Sequence, residues 1–348
     1  MNYISKPRGP LSRMAYKTIQ TVDRVSAAFS QNPVALSTLL SQRNLWGTLE
    51  RENVQTPSGP PLLALSFDLD YQTDTDALVA LTEVVDEAQV RMSLCVIGKL
   101  VEADPEPYRY AVEKGHEIVN HTWSHPDNPV LNPDNEFWHL SVDEMAIEIQ
   151  QAQEGIQRLL GVKPAGFRTP HFKDAPRMMQ AVEQMPELRY ISTALANRGP
   201  LAVPYFPTRH PMAGELQLHY SHPHMAQNYP VLMIPLTPCP EHRWSPFCSY
   251  DTIRRPTDRV NGAGLHELDE LLPLWRRMLE KAWADRFASV YFDPLDIMRD
   301  QETISVFRSM LEWAQQKGWQ ITTLGAIEQA WRSTLVEDEP IRSAETSR

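Results

Sequence analysis

From residue 62 onward, short apolar runs alternate with stretches whose apolar residues recur every three to four positions. The runs are "LLALSF", "RMSLCVIG", "HEIVN", "AGFRTPHF", "RYIST", "VLMIPLT", "ASVYF" and "WQITTL". Each has the length and apolar density of a buried strand. Between them the pattern predicts helices. One starts at a capping box of Thr73 and Asp76 and runs to about Gln89. A second covers Pro107 to Lys114 and stops at Gly115. The clearest helix covers Ser141 to Leu160: Ser141 and Glu144 cap it, Met145, Ile149, Ala152, Ile156 and Leu159 line one face, and Gly161 ends it. Two more lie near His266 to Trp283 and Gln301 to Lys317. Seven or eight β/α units result, which predicts an α/β fold: a parallel sheet covered by helices, open or closed into a barrel. In such folds the chemistry gathers where strands end and loops begin.

The rhythm breaks between residues 198 and 265, a region rich in Pro, His and aromatics. Loops of that length in a compact domain are usually lids or binding walls. Residues 1–58 carry seven Lys/Arg against three Asp/Glu, whereas the whole chain has a net charge of −11, which leaves about −15 for the remainder. The expected organisation is an N-terminal helical extension over 1–58, a main α/β domain over 59–334 and a charged tail over 335–348. Apolar residues at Val34, Leu36, Leu39, Leu40 and Leu45 suit packing on the barrel or on a second copy of the chain, so a homo-oligomer stays open.

The acidic balance argues against nucleic acid as a partner, since phosphate binding calls for a basic excess. No stretch of eighteen apolar residues offers a membrane span, and the N-terminus lacks the apolar core of a signal peptide, so a cytoplasmic location is expected. Cys95, Cys239 and Cys248 lack C-x-x-C spacing and indicate neither a disulfide framework nor a zinc knuckle. Cys95, inside an apolar run, is expected in the core.

The chemistry-bearing stretch is "ALSFDLDYQTDTD". A buried strand would carry Asp68 and Asp70 only with a partner, an open strand end or a function, because an unpaired buried carboxylate costs several kcal/mol. Asp74 and Asp76 are expected to serve the start of the next helix. His121 and His125 form an H-x-x-x-H pair directly after a strand, a spacing that sets two imidazoles on one side of a helical turn. With Asp70 they make a three-ligand set that leaves a metal open to water. Asp68, two residues earlier on the same strand face, is placed to act as general base. Arg168 in "FRTPHF" offers a rigid fork for pairing with a carboxylate.

Taken together, "SFDLD", "NHTWSH" and "GFRTPHF" resemble the first three motifs of the polysaccharide deacetylase (NodB homology, carbohydrate esterase family 4) superfamily, over roughly residues 60 to 330. The resemblance implies a distorted (β/α) barrel of about seven parallel strands, a divalent metal, and hydrolysis of an N-acetyl or other linear amide. It implies Asp68 as catalytic base, Asp70, His121 and His125 as metal ligands, and Arg168 as the residue that orients the base. Zinc heads the suitable metals, with cobalt, manganese and iron also fitting this ligand set. The expected substrate is an N-acetylated carbohydrate or a small amide.

Two departures stand out. Leu69 separates the two aspartates, a spacing similar to the branch with some peptidoglycan deacetylases and the cofactor-free allantoinases. The late motif, which usually supplies a histidine as general acid, here reads "VYFDPLDI", which makes Asp293 the candidate, with His222, His224 or a protonated Asp68 as alternatives. His219 and His242 read as loop residues. Trp123, Trp138 and Trp244 are candidates for stacking on a sugar face, although tryptophan is as often packed into the core.

Overall fold

The protein was analysed as a computed structural model that describes residues 56–172, 177–193, 203–207, 228–241, 246–247 and 266–334. Residues 1–55 of the N-terminal extension, the charged tail, His219, His222, His224, His242, Trp244 and Cys248 lie outside the described residues. The barrel opens with strand β1 (Leu62–Leu69) and helix α1 (Gln72–Glu87). There follow β2 (Ser93–Val96), α2 (Gly98–Ala103), α3 (Glu106–Glu113), β3 (Glu117–Asn120) and α4 (Val142–Leu160). Next come β4 (Gly166–Arg168), α5 (Met178–Val182), β5 (Tyr190–Thr193) and β6 (Leu232–Pro235). The chain closes with α6 (Leu268–Ala282), β7 (Phe287–Phe292), α7 (Pro294–Ile297), α8 (Gln301–Gln316), β8 (Gln320–Thr322) and α9 (Leu324–Arg332).

All strand pairings are parallel, in the order β6-β5-β4-β3-β2-β1-β7, so seven strands make the wall of the expected distorted barrel. The short β8 pairs with the first half of β1, Leu62 to Ala64, while β2 pairs with its second half, Ser66 to Leu69. The edges β6 and β7 are bridged by Thr237: its N–H donates to the Ser289 carbonyl (2.8 Å) and its Oγ1 accepts from the Ser289 N–H (2.9 Å). Among the described residues no helix is long and apolar enough to cross a membrane.

Strand periodicity sorts side chains into two layers. Leu63, Leu65, Phe67 and Leu69 point outward into the main core, where α1, α6 and α8 contribute Leu78, Leu81, Trp275 and Phe307. Burial of each such large side chain stabilises the fold by about 1.5–3 kcal/mol. Leu62 and Ala64 point inward with Cys95, Val119, Tyr190, Leu232 and Ile234, an apolar plug in the lower barrel. Further along the same inward face β1 turns polar, at Ser66 and Asp68, both buried. The polar end is the C-terminal end of the strands.

Local signals were followed closely in most elements. Ser141 and Glu144 form the capping box of α4, and Gly161 ends the helix at φ 72°, a left-handed conformation that suits glycine. The cap of α1 differs from expectation: its N-cap is Tyr71 and its N3 residue is Asp74, two positions before the Thr73 and Asp76 pair. Asp74 reaches back to the Tyr71 N–H at 3.1 Å, a bond for which the exposed Asp76 is too far along the helix.

Candidate active site

Three strand ends converge here. Asp70 follows β1, His121 and His125 follow β3, and Arg168 ends β4. The "HTWSH" segment is a loop, not the helical turn that the spacing suggests, and Thr122 (φ 68°), His125 (φ 49°) and Asp127 (φ 82°) sit in the left-handed region. Such conformations cost non-glycine residues about 1–3 kcal/mol each and persist where the surroundings over-determine them. The surroundings are visible. Asn120 Oδ1 accepts from the Thr122 N–H (2.8 Å), and Thr122 Oγ1 accepts from the His125 N–H (2.9 Å). Glu148 of α4 accepts from both the N–H (2.9 Å) and the hydroxyl (2.7 Å) of Ser124.

Trp123, between the two histidines, is packed rather than presented to a ligand. A Cβ placed on Gly98 would lie 2.3 Å from Trp123 Cε3, and one on Gly155 would lie 2.8 Å from Trp123 Cζ3. The indole is wedged between α2 and α4, and glycine at both positions makes the room. Trp138 is at the rim instead, its ring 6.3 Å from that of His171.

Asp70, His121 and His125 offer one ligand atom each within 4.8 Å of one another. Asp70 Oδ1 lies 3.5 Å from His121 Nε2 and 3.8 Å from His125 Nε2. Donors about 2.0–2.1 Å from a tetrahedral ion stand about 3.4 Å apart, so the two spacings from Asp70 are near those of a metal's ligands. The buried Asp70 Oδ1 makes no hydrogen bond, as a ligand oxygen should not. His121 Nδ1 donates to the Arg168 carbonyl at 2.8 Å, which leaves the Nε2 lone pair facing Asp70. Burial pushes His125 down to about 3, so it is neutral at physiological pH, as a ligand must be. His121 is opposed by burial too, but Asp70 and Asp68 draw it above its ordinary value. Burial would raise Asp70, yet the two imidazoles hold it well below the usual carboxylate range.

Behind this cluster, inside the barrel, Arg168 Nη1 donates to Asp68 Oδ1. Arg168 is fully buried and Asp68 is 3 % exposed. The remaining donors of the guanidinium go to Ser66 Oγ (2.7 Å) and Ser192 Oγ (2.9 and 3.1 Å). Its faces meet the rings of Phe172 at 5.1 Å and Tyr291 at 5.7 Å. Burial pushes the Asp68 carboxyl upward, against the pull of Arg168 and His121. Asp293, buried, is the N-cap of α7, one residue beyond the Phe67 and Phe292 pair that joins β1 to β7. It therefore lies at the same end of the barrel as Asp68.

Residues 55–188 match the sequence profile of the polysaccharide deacetylases. That span contains Asp68, Asp70, His121, His125 and Arg168, but not Asp293. Over that span the chain is similar to the polysaccharide deacetylases. A chitin deacetylase 1 from Cryptococcus neoformans var. grubii is 28% identical over 138 residues, 40% of this chain. The aligned part is 27% of that relative, so the chain spans about a quarter of its length. The fold is also similar to the crystal structure of a Mycobacterium smegmatis protein assigned to the polysaccharide deacetylases (TM-score 0.63, 18% identity, 82% of this chain and 98% of that one). Puue allantoinase has the same fold at a TM-score of 0.61, with 14% identity over 81% of this chain and 95% of that one.

Several residues of this site had no strong sequence signal. His171 stacks edge-on against His125 at 4.9 Å and sets its Nε2 3.5 Å from Asp127 Oδ2. It stands inside "FRTPHF", the one clue to it. Ser66 and Tyr291 are each two residues before an aspartate of the site, and strand alternation alone places them on the same face.

Proposed function

We propose that the chain is a metal-dependent hydrolase of linear amides that removes the acetyl group from an N-acetylated sugar or polysaccharide. The observation that carries this reading is the joint arrangement of Asp70, His121 and His125 in front of a buried Asp68–Arg168 pair. Bound by those three residues, a divalent ion such as zinc would supply Lewis acidity, lowering the pKa of water and polarising the amide carbonyl. Asp68 takes the proton of the attacking water. Its carboxyl, raised by burial, is a better acceptor than an ordinary aspartate, and Arg168 fixes the orientation of its lone pairs. Asp293 gives a proton to the leaving nitrogen, or Asp68 returns the one it took.

Leu69 supports a second reading, hydrolysis of a small ureide. It is fully buried on the outward face, so the spacer lets Asp68 and Asp70 project from the same side of one regular strand. Acetate release from N-acetylated oligosaccharides by wild type and Asp68→Asn tests the first reading. Turnover of ureides with none of sugars would favour the second. Metal binding without turnover of any amide would leave a silent carbohydrate-binding barrel.

A further inference from the structure

We infer that Asp74 and Asn128 are positioning residues that brace Asp70 from both sides and set its distance from the histidine pair. The inference rests on the metal-hydrolase reading above. Asp70 lies just past the end of β1, where ladder hydrogen bonds no longer hold the backbone. Its N–H donates to Asp74 Oδ2 at 3.2 Å, and its carbonyl accepts from Asn128 Nδ2 at 2.8 Å. Both peptide groups that flank the Asp70 side chain are therefore held by side chains, and both of these are buried.

Each brace is anchored to another part of the site. Asn128 donates its own N–H to the His125 carbonyl at 2.8 Å, and its Oδ1 accepts from the N–H groups of Val130 and Leu131, both at 2.9 Å. Asp70 is thus linked through one residue to the His125 backbone. Asp74 also accepts from the Tyr71 N–H, and its Oδ1 accepts from the Leu295 N–H at 3.3 Å. Leu295 is two residues after Asp293, so the same carboxylate joins the start of α1, after β1, to the start of α7, after β7. An aspartate needed only to start a helix would use the amides of its own turn. Asp74 spends one oxygen on the first turn of α7, 221 residues away. Ligand atoms in a preset array bind an ion without a further ordering cost, which is how outer partners raise metal affinity.

The test uses the full chain, stripped of metal and titrated with cobalt(II) and with zinc against a chromophoric chelator. Asp74→Asn puts an N–H where an acceptor is needed, and Asn128→Asp removes the donor to the Asp70 carbonyl. Each is expected to weaken metal binding about 10- to 100-fold and to shift the visible absorption bands of the cobalt protein. Asp76→Asn, exposed on the same helix two residues later and bonded by Gln72, should leave both unchanged. Wild-type affinity and spectra in both site variants would overturn the inference while the hydrolase reading stands. A wild type that binds neither metal, or an Asp70→Asn variant that binds as tightly, would overturn the reading itself. Asn128 lies outside every helix, so Asn128→Asp decides the matter if Asp74→Asn does not fold.

Discussion

Arg168→Met isolates what the buried ion pair does. Methionine keeps apolar volume between Phe172 and Tyr291 but leaves Asp68 without its cation and Ser66 and Ser192 without a donor. Removal of one partner from a buried pair costs about 3–5 kcal/mol. That is a large part of the 5–15 kcal/mol typical of a domain, so the variant should fold at 25 °C with a narrower margin. At about 2–4 °C per kcal/mol for a domain of 150–250 residues, the midpoint of thermal unfolding should drop by roughly 6–20 °C. The control is Arg168→Met combined with Asp68→Asn, which removes both charges. If an unpaired charge is the source of the loss, the double variant should regain at least half of it. Melts followed by circular dichroism, on metal-free protein at one pH, provide the numbers. A drop of less than 2 °C, or a double variant no more stable than Arg168→Met, would refute the reasoning.

Three further outcomes are expected. Gly98→Ala should destabilise by about 2–3 kcal/mol because Trp123 has no free direction in which to move, whereas Gly155→Ala should cost less, since the clash is milder and alanine favours the helix by about 1 kcal/mol; urea midpoints will rank them. His116, whose Nδ1 accepts from the Met92 N–H, is held by burial at about 4, below its ordinary value of 6.5. The unfolded chain therefore binds the extra proton first: stability is complete above pH 6.5 and falls by about 1–3 kcal/mol toward pH 4, after allowance for solvent screening. His116→Asn should flatten that window in stability curves measured at several pH values. Zinc at 100 times its dissociation constant should stabilise wild type by about 2.7 kcal/mol in a thermal shift assay. Asp70→Asn should show no such gain.

The elements were legible because their signals are local. Apolar runs marked all eight strands among the described residues, and Ser141, Glu144 and Gly161 bounded α4 to the residue. Four α-helices among the described residues went unmarked: the short α2, α5 and α7, of four to six residues, and α9, whose Thr323 cap stands at the end of a strand signal. The α1 cap moved by two positions because Asp74, bonded to the Asp70, Tyr71 and Leu295 amides, is held at N3, which makes Tyr71 the N-cap although tyrosine is not a usual capping residue. The histidine spacing was legible, its helical geometry was not, since the left-handed residues depend on Asn120 and Glu148 from other elements.

Sequence by itself determined the order of the β/α units, the inward alternation of Ser66, Asp68 and Asp70, and the residue types of a metal set, because these follow from spacings of two to four residues. Tertiary structure decided which groups meet. Arg168 reaches Asp68 across 100 residues and donates also to Ser66 and Ser192, and Asp74 joins Leu295. Such contacts depend on strand order and register around the barrel, which local periodicity does not encode.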